Sequence, residues 1–161
     1  MTRRKIFLLQ LISAVLVIAA MVYFGIYATE VFVPRMMEQV NSNPGNGQAA
    51  GVFWAAMAAG VAVAVVVAIL LIWAVAGGIV GLYLLVVCLA MRKSTRRTLY
   101  IVLNIIASAL LIVHTVLTAI ITSNDIGFAV TAVICVASCV MWAVQFVLSL
   151  KHLYNGKPTI E

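Results

Sequence analysis

The chain has 161 residues, of which 66% are hydrophobic and only 9% charged. A soluble domain is usually about 45–50% apolar and about 25% charged, so a soluble fold is excluded and a single integral membrane domain is predicted. The net charge of +6 does not point to nucleic acid, because nine of the 10 basic residues fall in three clusters: Arg3, Arg4 and Lys5; Arg92, Lys93, Arg96 and Arg97; Lys151 and Lys157. Clusters of this kind mark the cytoplasmic ends of membrane spans. They also attract anionic lipid, by about 1 kcal/mol per residue at the surface. Glu30, Glu38 and Asp125 lie between the clusters, as does Arg35.

The first predicted span covers residues 6–28. Its start, MTRRKIFLLQL, resembles a signal peptide, but signal cores are about 7–15 apolar residues long and this run is longer. A retained signal-anchor helix is expected. Residues 29–51 then form the longest polar connection, punctuated by Pro34 and the NPGNG stretch. Within it, VFVPRMMEQV has the pattern of a short amphipathic turn on the membrane surface, dipping in Val31, Phe32, Met36 and Met37.

Residues 52–91 are almost unbroken apolar sequence, with the membrane span proper at 56–91. A hairpin here would need a loop, and it would put RKSTRR and TRRK on opposite sides, against the positive-inside bias. One unusually long second helix is therefore predicted. It must tilt or project, since 40 residues at about 1.5 Å each far exceed a core of about 30 Å. After a cytoplasmic loop at 92–98, spans at 99–122 and 128–150 form a tight hairpin through SNDIG, and residues 151–161 form a tail. The fold class is all-α: an integral membrane four-helix bundle with both termini in the cytoplasm, the compact loops pointing to a prokaryotic plasma membrane. No internal repeat supports a one-chain inverted-repeat transporter.

At about 100° per residue, Thr131, Cys135, Ser138, Trp142, Gln145 and Ser149 share one face of the last span, in alternating steps of four and three. Tyr100, Asn104, Ser108, Leu111, Thr115, Thr118 and Thr122 share a face of the third, with His114 at its edge. Gln10, Ser13, Ala14, Val17, Met21 and Gly25 do so on the first. Small and mildly polar side chains on one stripe mark the protein-facing side of a membrane helix. The second span carries small residues instead: Gly60, Ala74, Gly77, Gly78 and Gly81, a helix-packing set that includes a G-x-x-x-G.

These stripes bound the chemistry. Cys135 and Cys139 read as packing residues, since free cysteine behaves as a small hydrophobe; their spacing is not that of a redox pair. Cys88 is too far along the membrane normal to join His114 and Cys135 in a metal site, so neither metal nor cofactor is expected. His114 and His152 belong to opposite depths and cannot clamp one haem iron. No Asp, Glu, Lys or Arg falls inside a span, and no nucleophile–base set or phosphate loop is present, so no enzyme is expected. Two functions remain. One is a non-catalytic accessory or assembly subunit that docks on another membrane protein. The other is a small transporter or channel, working as a homo-oligomer, with a polar path lined by Asn104, Ser108, His114, Thr115, Thr118, Thr131, Ser138 and Gln145. The partners expected are membrane lipid and another membrane protein or a second copy.

Overall fold

The computed structural model describes the backbone of residues 3–42, 49–93, 97–123 and 125–155, and the side chains of 6–40, 42, 57–90, 98–123 and 125–151. The NPGNG stretch, His152 as a side chain, and the last residues of the tail fall outside them. Among the described residues there are five α-helices: α1 (Arg3–Tyr27), α2 (Val33–Ser42), α3 (Ala49–Lys93), α4 (Arg97–Thr122) and α5 (Ile126–Asn155). Four stretches among the described residues are long and apolar enough to cross a membrane. The protein is an integral membrane four-helix bundle, and α3, at 45 residues, is the unusually long second member.

The connection expected at residues 29–51 is mostly helical instead. A five-residue π turn, Ala28–Phe32, joins α1 to α2 without a break in the winding, and α2 packs on α3. Pro34 explains the widened turn: it has no N–H for the preceding carbonyls, and its ring crowds the helix interior. The Val33 amide closes the turn on the Ala28 carbonyl. The surface turn expected around VFVPRMMEQV is thus a continuation of the first helix. Val31, Phe32 and Met36 are half-buried, while Met37 is exposed. At the other end, α3 runs to Lys93 and α4 begins at Arg97, so the two ends of the loop expected at 92–98 are helical, while residues 94–96 lie outside the described residues.

Packing follows the chain as a closed ring. α1 lies against α3 and α5, and α4 lies against α3 and α5. α1 and α4 face each other across one diagonal, α3 and α5 across the other. With α1 and α2 as one continuous rod, successive spans are joined by short stretches of chain and pack as antiparallel neighbours, as bundle geometry requires. The α1–α3 seam depends on glycine. A Cβ at Gly77 would collide with Met21 Sδ and lie 2.6 Å from His114 Cε1; one at Gly81 would lie 2.6 Å from Ile18 Cγ1 and 3.3 Å from the Ile18 backbone nitrogen. Gly25 and Ala74 meet further along the same seam. Small residues here let two helix backbones approach, which is the usual source of packing energy between helices in lipid.

Gly60 and Gly78 do not belong to that seam. A Cβ at either would meet nothing within 4 Å. Helical geometry gives the reason: successive residues are about 100° apart, so Gly78 is turned away from the face that carries Gly77. The two glycines should respond oppositely to alanine. Gly78→Ala is expected to be neutral or to stabilise by up to about 1 kcal/mol through helix propensity. Gly77→Ala should cost about 1–3 kcal/mol from overpacking. Equilibrium unfolding in bicelles measures both, and equal effects at the two positions would refute the seam.

Candidate functional site

The polar side chains of α1, α4 and α5 turn inward and gather in two storeys. The first lies toward the basic end of the bundle, with Asn104 as its hub. Gln10 Nε2 donates to Asn104 Oδ1 at 3.2 Å and Gln145 Nε2 donates to the same oxygen at 3.3 Å. Asn104 Nδ2 donates to the Tyr100 carbonyl at 3.0 Å, and the Tyr100 hydroxyl donates to Ser149 Oγ at 2.6 Å. The Ser108 hydroxyl returns to the Asn104 carbonyl at 2.8 Å. Gln10, Asn104 and Gln145 are all buried. One side-chain oxygen therefore ties together α1, α4 and α5, including the diagonal between α1 and α4.

The second storey lies toward Asp125 and is built around His114. Its ring stacks on Trp73, with centroids 5.0 Å apart and planes inclined by 17°. The ring also covers Gly77, which is why that position admits no Cβ. Thr118 Oγ1 donates to the His114 carbonyl at 2.8 Å and accepts from Trp73 Nε1 at 3.2 Å; His114 Nε2 is 3.5 Å away. With its one proton committed to the carbonyl, Thr118 accepts from the ring in the tautomer that carries the proton on Nε2. Thr115, Thr122, Thr131 and Cys135 are buried in the same region.

Between the storeys sits an apolar layer of Ala14, Val17, Leu84, Val87, Ala107, Leu111 and Trp142, buried against one another. The Ser13 hydroxyl crosses it at the edge, donating to the Ser138 carbonyl at 2.8 Å, while the Ser138 hydroxyl folds back on the Ile134 carbonyl at 2.9 Å. The polar residues read from the sequence as one path are thus brought together as two groups with a greasy floor between them. Four buried polar atoms have no hydrogen-bond partner among the described residues: Thr115 Oγ1 and Thr131 Oγ1 in the His114 storey, Trp142 Nε1 and Gln145 Oε1 in or beside the Asn104 storey.

Of the small-residue set, Ala74, Gly77 and Gly81 are taken up inside the chain by α1, and only Gly60 and Gly78 stay clear of neighbours. The three cysteines are free thiols, Cys88 and Cys135 buried and Cys139 half-buried. Among the described residues no three His, Cys, Asp or Glu side chains come close enough to hold a metal ion.

Sequence reasoning missed one constellation, at the α4–α5 turn. Asp125 caps α5: its Oδ1 accepts from the Gly127 amide at 2.7 Å and the Phe128 amide at 3.4 Å. The Tyr27 hydroxyl donates to the same oxygen at 2.9 Å, and Arg35 Nη1 reaches Tyr27 at 3.5 Å. Phe24, Tyr27 and Phe32 close around Phe128, with ring centroids 4.7, 4.9 and 5.1 Å from it. Gly127 has no room for a Cβ beneath the Tyr27 ring. The available signal was Asp immediately before an apolar helix, a standard N-cap. Tyr27 and Arg35 gave none, because the π turn that sets their angle is not written in a periodicity.

Burial pushes the Asp125 carboxyl up, but the hydrogen bonds from Tyr27, Gly127 and Phe128 and the charge of Arg35 outweigh it and hold the group below its usual value. A lowered pKa means that this contribution to stability is whole above the ordinary carboxylate value of about 3.9 and disappears as pH falls through the lowered one. Melting temperature followed from pH 7 to 3 should therefore drop more steeply for the native chain than for Asp125→Asn; parallel curves would show that the cap is not linked to folding. In the Asn104 storey, Asn104→Leu strands two buried donors and should cost about 1–3 kcal/mol. Replacing Gln10, Asn104 and Gln145 together by Leu should recover most of that loss, because no polar group is then left unpaired. A triple variant no more stable than the single one would rule out the hub.

No known protein family, curated protein or solved structure matches this chain.

Proposed function

We propose that the protein is a non-catalytic accessory or assembly subunit of a larger membrane complex, held in a prokaryotic plasma membrane with both termini in the cytoplasm. The observation that carries this reading is how the polar side chains are used. Gln10, Asn104, Gln145, Tyr100 and Ser149 are spent on one another, and His114, Thr118 and Trp73 likewise. A layer of Val17, Leu111 and Trp142 closes the interior between them. Interhelical hydrogen bonds of this sort contribute about 0.6 kcal/mol each in membrane proteins. They fit a scaffold better than a conduit. Meanwhile the outward face of α3 is long and apolar, with Val75, Ile79, Leu82 and Val86 exposed, a surface suited to other helices. The basic residues at the ends of α1, α3, α4 and α5 support this orientation.

The second reading, a small transporter or channel working as a homo-oligomer, has one observation in its favour. Thr115, Thr131, Trp142 and Gln145 keep a buried polar atom without a partner among the described residues, and such groups are ordinarily matched by water.

Native mass spectrometry of the tagged protein, gently solubilised from its own host, separates the two. The accessory reading expects a defined complex with other membrane proteins at fixed stoichiometry. A preparation holding this chain alone, with solute flux in vesicles lost in His114→Ala and Asn104→Ala, would replace it with the transporter.

A further inference from the structure

The Tyr100 carbonyl fixes how three side-chain amides are turned. It can only accept, and it lies 3.0 Å from one end of the Asn104 amide, so Asn104 Nδ2 faces it. Asn104 Oδ1 then faces the two glutamines, and each must present its Nε2. For Gln145 the consequence is an oxygen turned away. Gln145 is fully buried, and its Oε1 has no hydrogen-bond partner among the described residues. Turning the amide over does not help, because Oε1 would then meet Asn104 Oδ1, oxygen against oxygen. One turn back along α5, Trp142 is 1% exposed, and its Nε1 has no partner among the described residues either.

The serine hydroxyls on this side of the interior are committed elsewhere. Ser138 gives its proton to the Ile134 carbonyl, Ser149 to the Gln145 carbonyl and Ser13 to the Ser138 carbonyl. Thr115 and Thr131, the other described residues with an unpartnered buried atom, are a different case. A helical threonine can turn its hydroxyl onto the carbonyl four residues back, as Thr118 and Thr122 do. An indole N–H and a tethered carboxamide oxygen have no such recourse. The two are also complementary: Trp142 Nε1 can only donate and Gln145 Oε1 can only accept. Residues three apart on a helix share a face, with Cβ atoms about 5–6 Å apart. Helical side chains lean toward the N-terminus, so Gln145 leans over the turn that carries Trp142.

We propose that one enclosed water molecule binds between Trp142 Nε1 and Gln145 Oε1, accepting from the indole and donating to the amide. The class of the ligand follows from the pair. A cation cannot accept the indole proton, and a simple anion cannot donate to the amide oxygen. The bridging group must do both. It must also be small and uncharged, because Trp142 belongs to the apolar layer with Leu111 and Val87. Water meets all of these demands, and its two bonds of about 2.9 Å span roughly one helical turn. Buried waters ordinarily hold about 2–4 such bonds. The bridge extends the Gln10–Asn104–Gln145 network to Trp142, and so ties the largest fully buried side chain of the protein to the Asn104 hub. The inference does not rest on the accessory reading, since an enclosed water serves a scaffold and a transporter alike.

The indole N–H resonances of the full chain, labelled with nitrogen-15 tryptophan and reconstituted in nanodiscs, test it. Trp142→Phe identifies the Trp142 signal by removing it. That N–H should show a cross-peak to water with the sign of a bound, slowly tumbling molecule, and should persist long after transfer to heavy water. Gln145→Met, which keeps the length of the side chain but not the oxygen, should abolish the cross-peak. No cross-peak in the native chain would overturn the proposal. Immediate loss of the N–H in heavy water would overturn it too, since the site would then be open to bulk solvent. A cross-peak that survives Gln145→Met would exclude the bridge. Because that variant also touches the Asn104 hub, a second measurement uses the native chain. A crystallographic map that resolves ordered water should hold one peak within hydrogen-bond distance of both Trp142 Nε1 and Gln145 Oε1. Direct contact between the two atoms, or no peak there, would refute it.

Discussion

Inside a bilayer there is no water to complete a hydrogen bond, so every polar group carried into it must be matched by the protein itself. Asn104 is where this constraint binds hardest. Its carbonyl oxygen takes an amide proton from Gln10 and another from Gln145, and its own amide returns to Tyr100. Slide any of the three helices by one residue and a donor is stranded in an apolar interior. Van der Waals packing alone would tolerate several registers among stretches of Val, Ile, Leu and Ala. The shared oxygen selects one.

From that register the rest of the interior follows. With Asn104 level with Gln145 and Gln10, Leu111 meets Trp142 and Val17 in the apolar layer, and His114 comes level with Cys135 and Gly77. The glycine is then required, because the imidazole lies over it, held flat by Trp73 one turn away on the same helix. At the far border the same alignment delivers Phe128 into the cage of Phe24, Tyr27 and Phe32 and sets Asp125 under the Tyr27 hydroxyl. The π turn after Tyr27 is the adjustment that lets the first helix pass this cluster and continue into α2.

The stripes of α4 and α5 were legible because 3.6-residue periodicity carries them: Thr131, Cys135, Ser138, Trp142, Gln145 and Ser149 read as one face and are all buried. The long α3 was legible too, since charge placement excluded a hairpin. Small residues on α3 were harder. Gly60, Gly77 and Gly78 look alike in a sequence, and in a helix this apolar nearly every face is compatible with lipid, so only the neighbours tell them apart. In the loop expected at 29–51, the part up to Ser42 is helical for a related reason. Proline, glycine and polar side chains signal a turn, but a helix braced along its length by α3 tolerates Pro34 by widening one turn. As for the polar path, periodicity aligned its residues along each helix and set Val17 on the inward side of the first, but carried no information on how Val17 and Leu84 would meet Leu111 and Trp142 to divide it.

The placement of α1 has a consequence for how the molecule is made. α1 emerges first, yet one of its two packing partners is α5, which emerges last; the Ser13 hydroxyl waits for the carbonyl of Ser138, 125 positions later. Until then Gln10 and Ser13 sit in the membrane without their final partners, and α3 can shield only one side of them. The α4–α5 hairpin, by contrast, is local and can close on itself as it leaves the insertion machinery. In the finished bundle α5 of that hairpin closes the side of α1 that α3 leaves open.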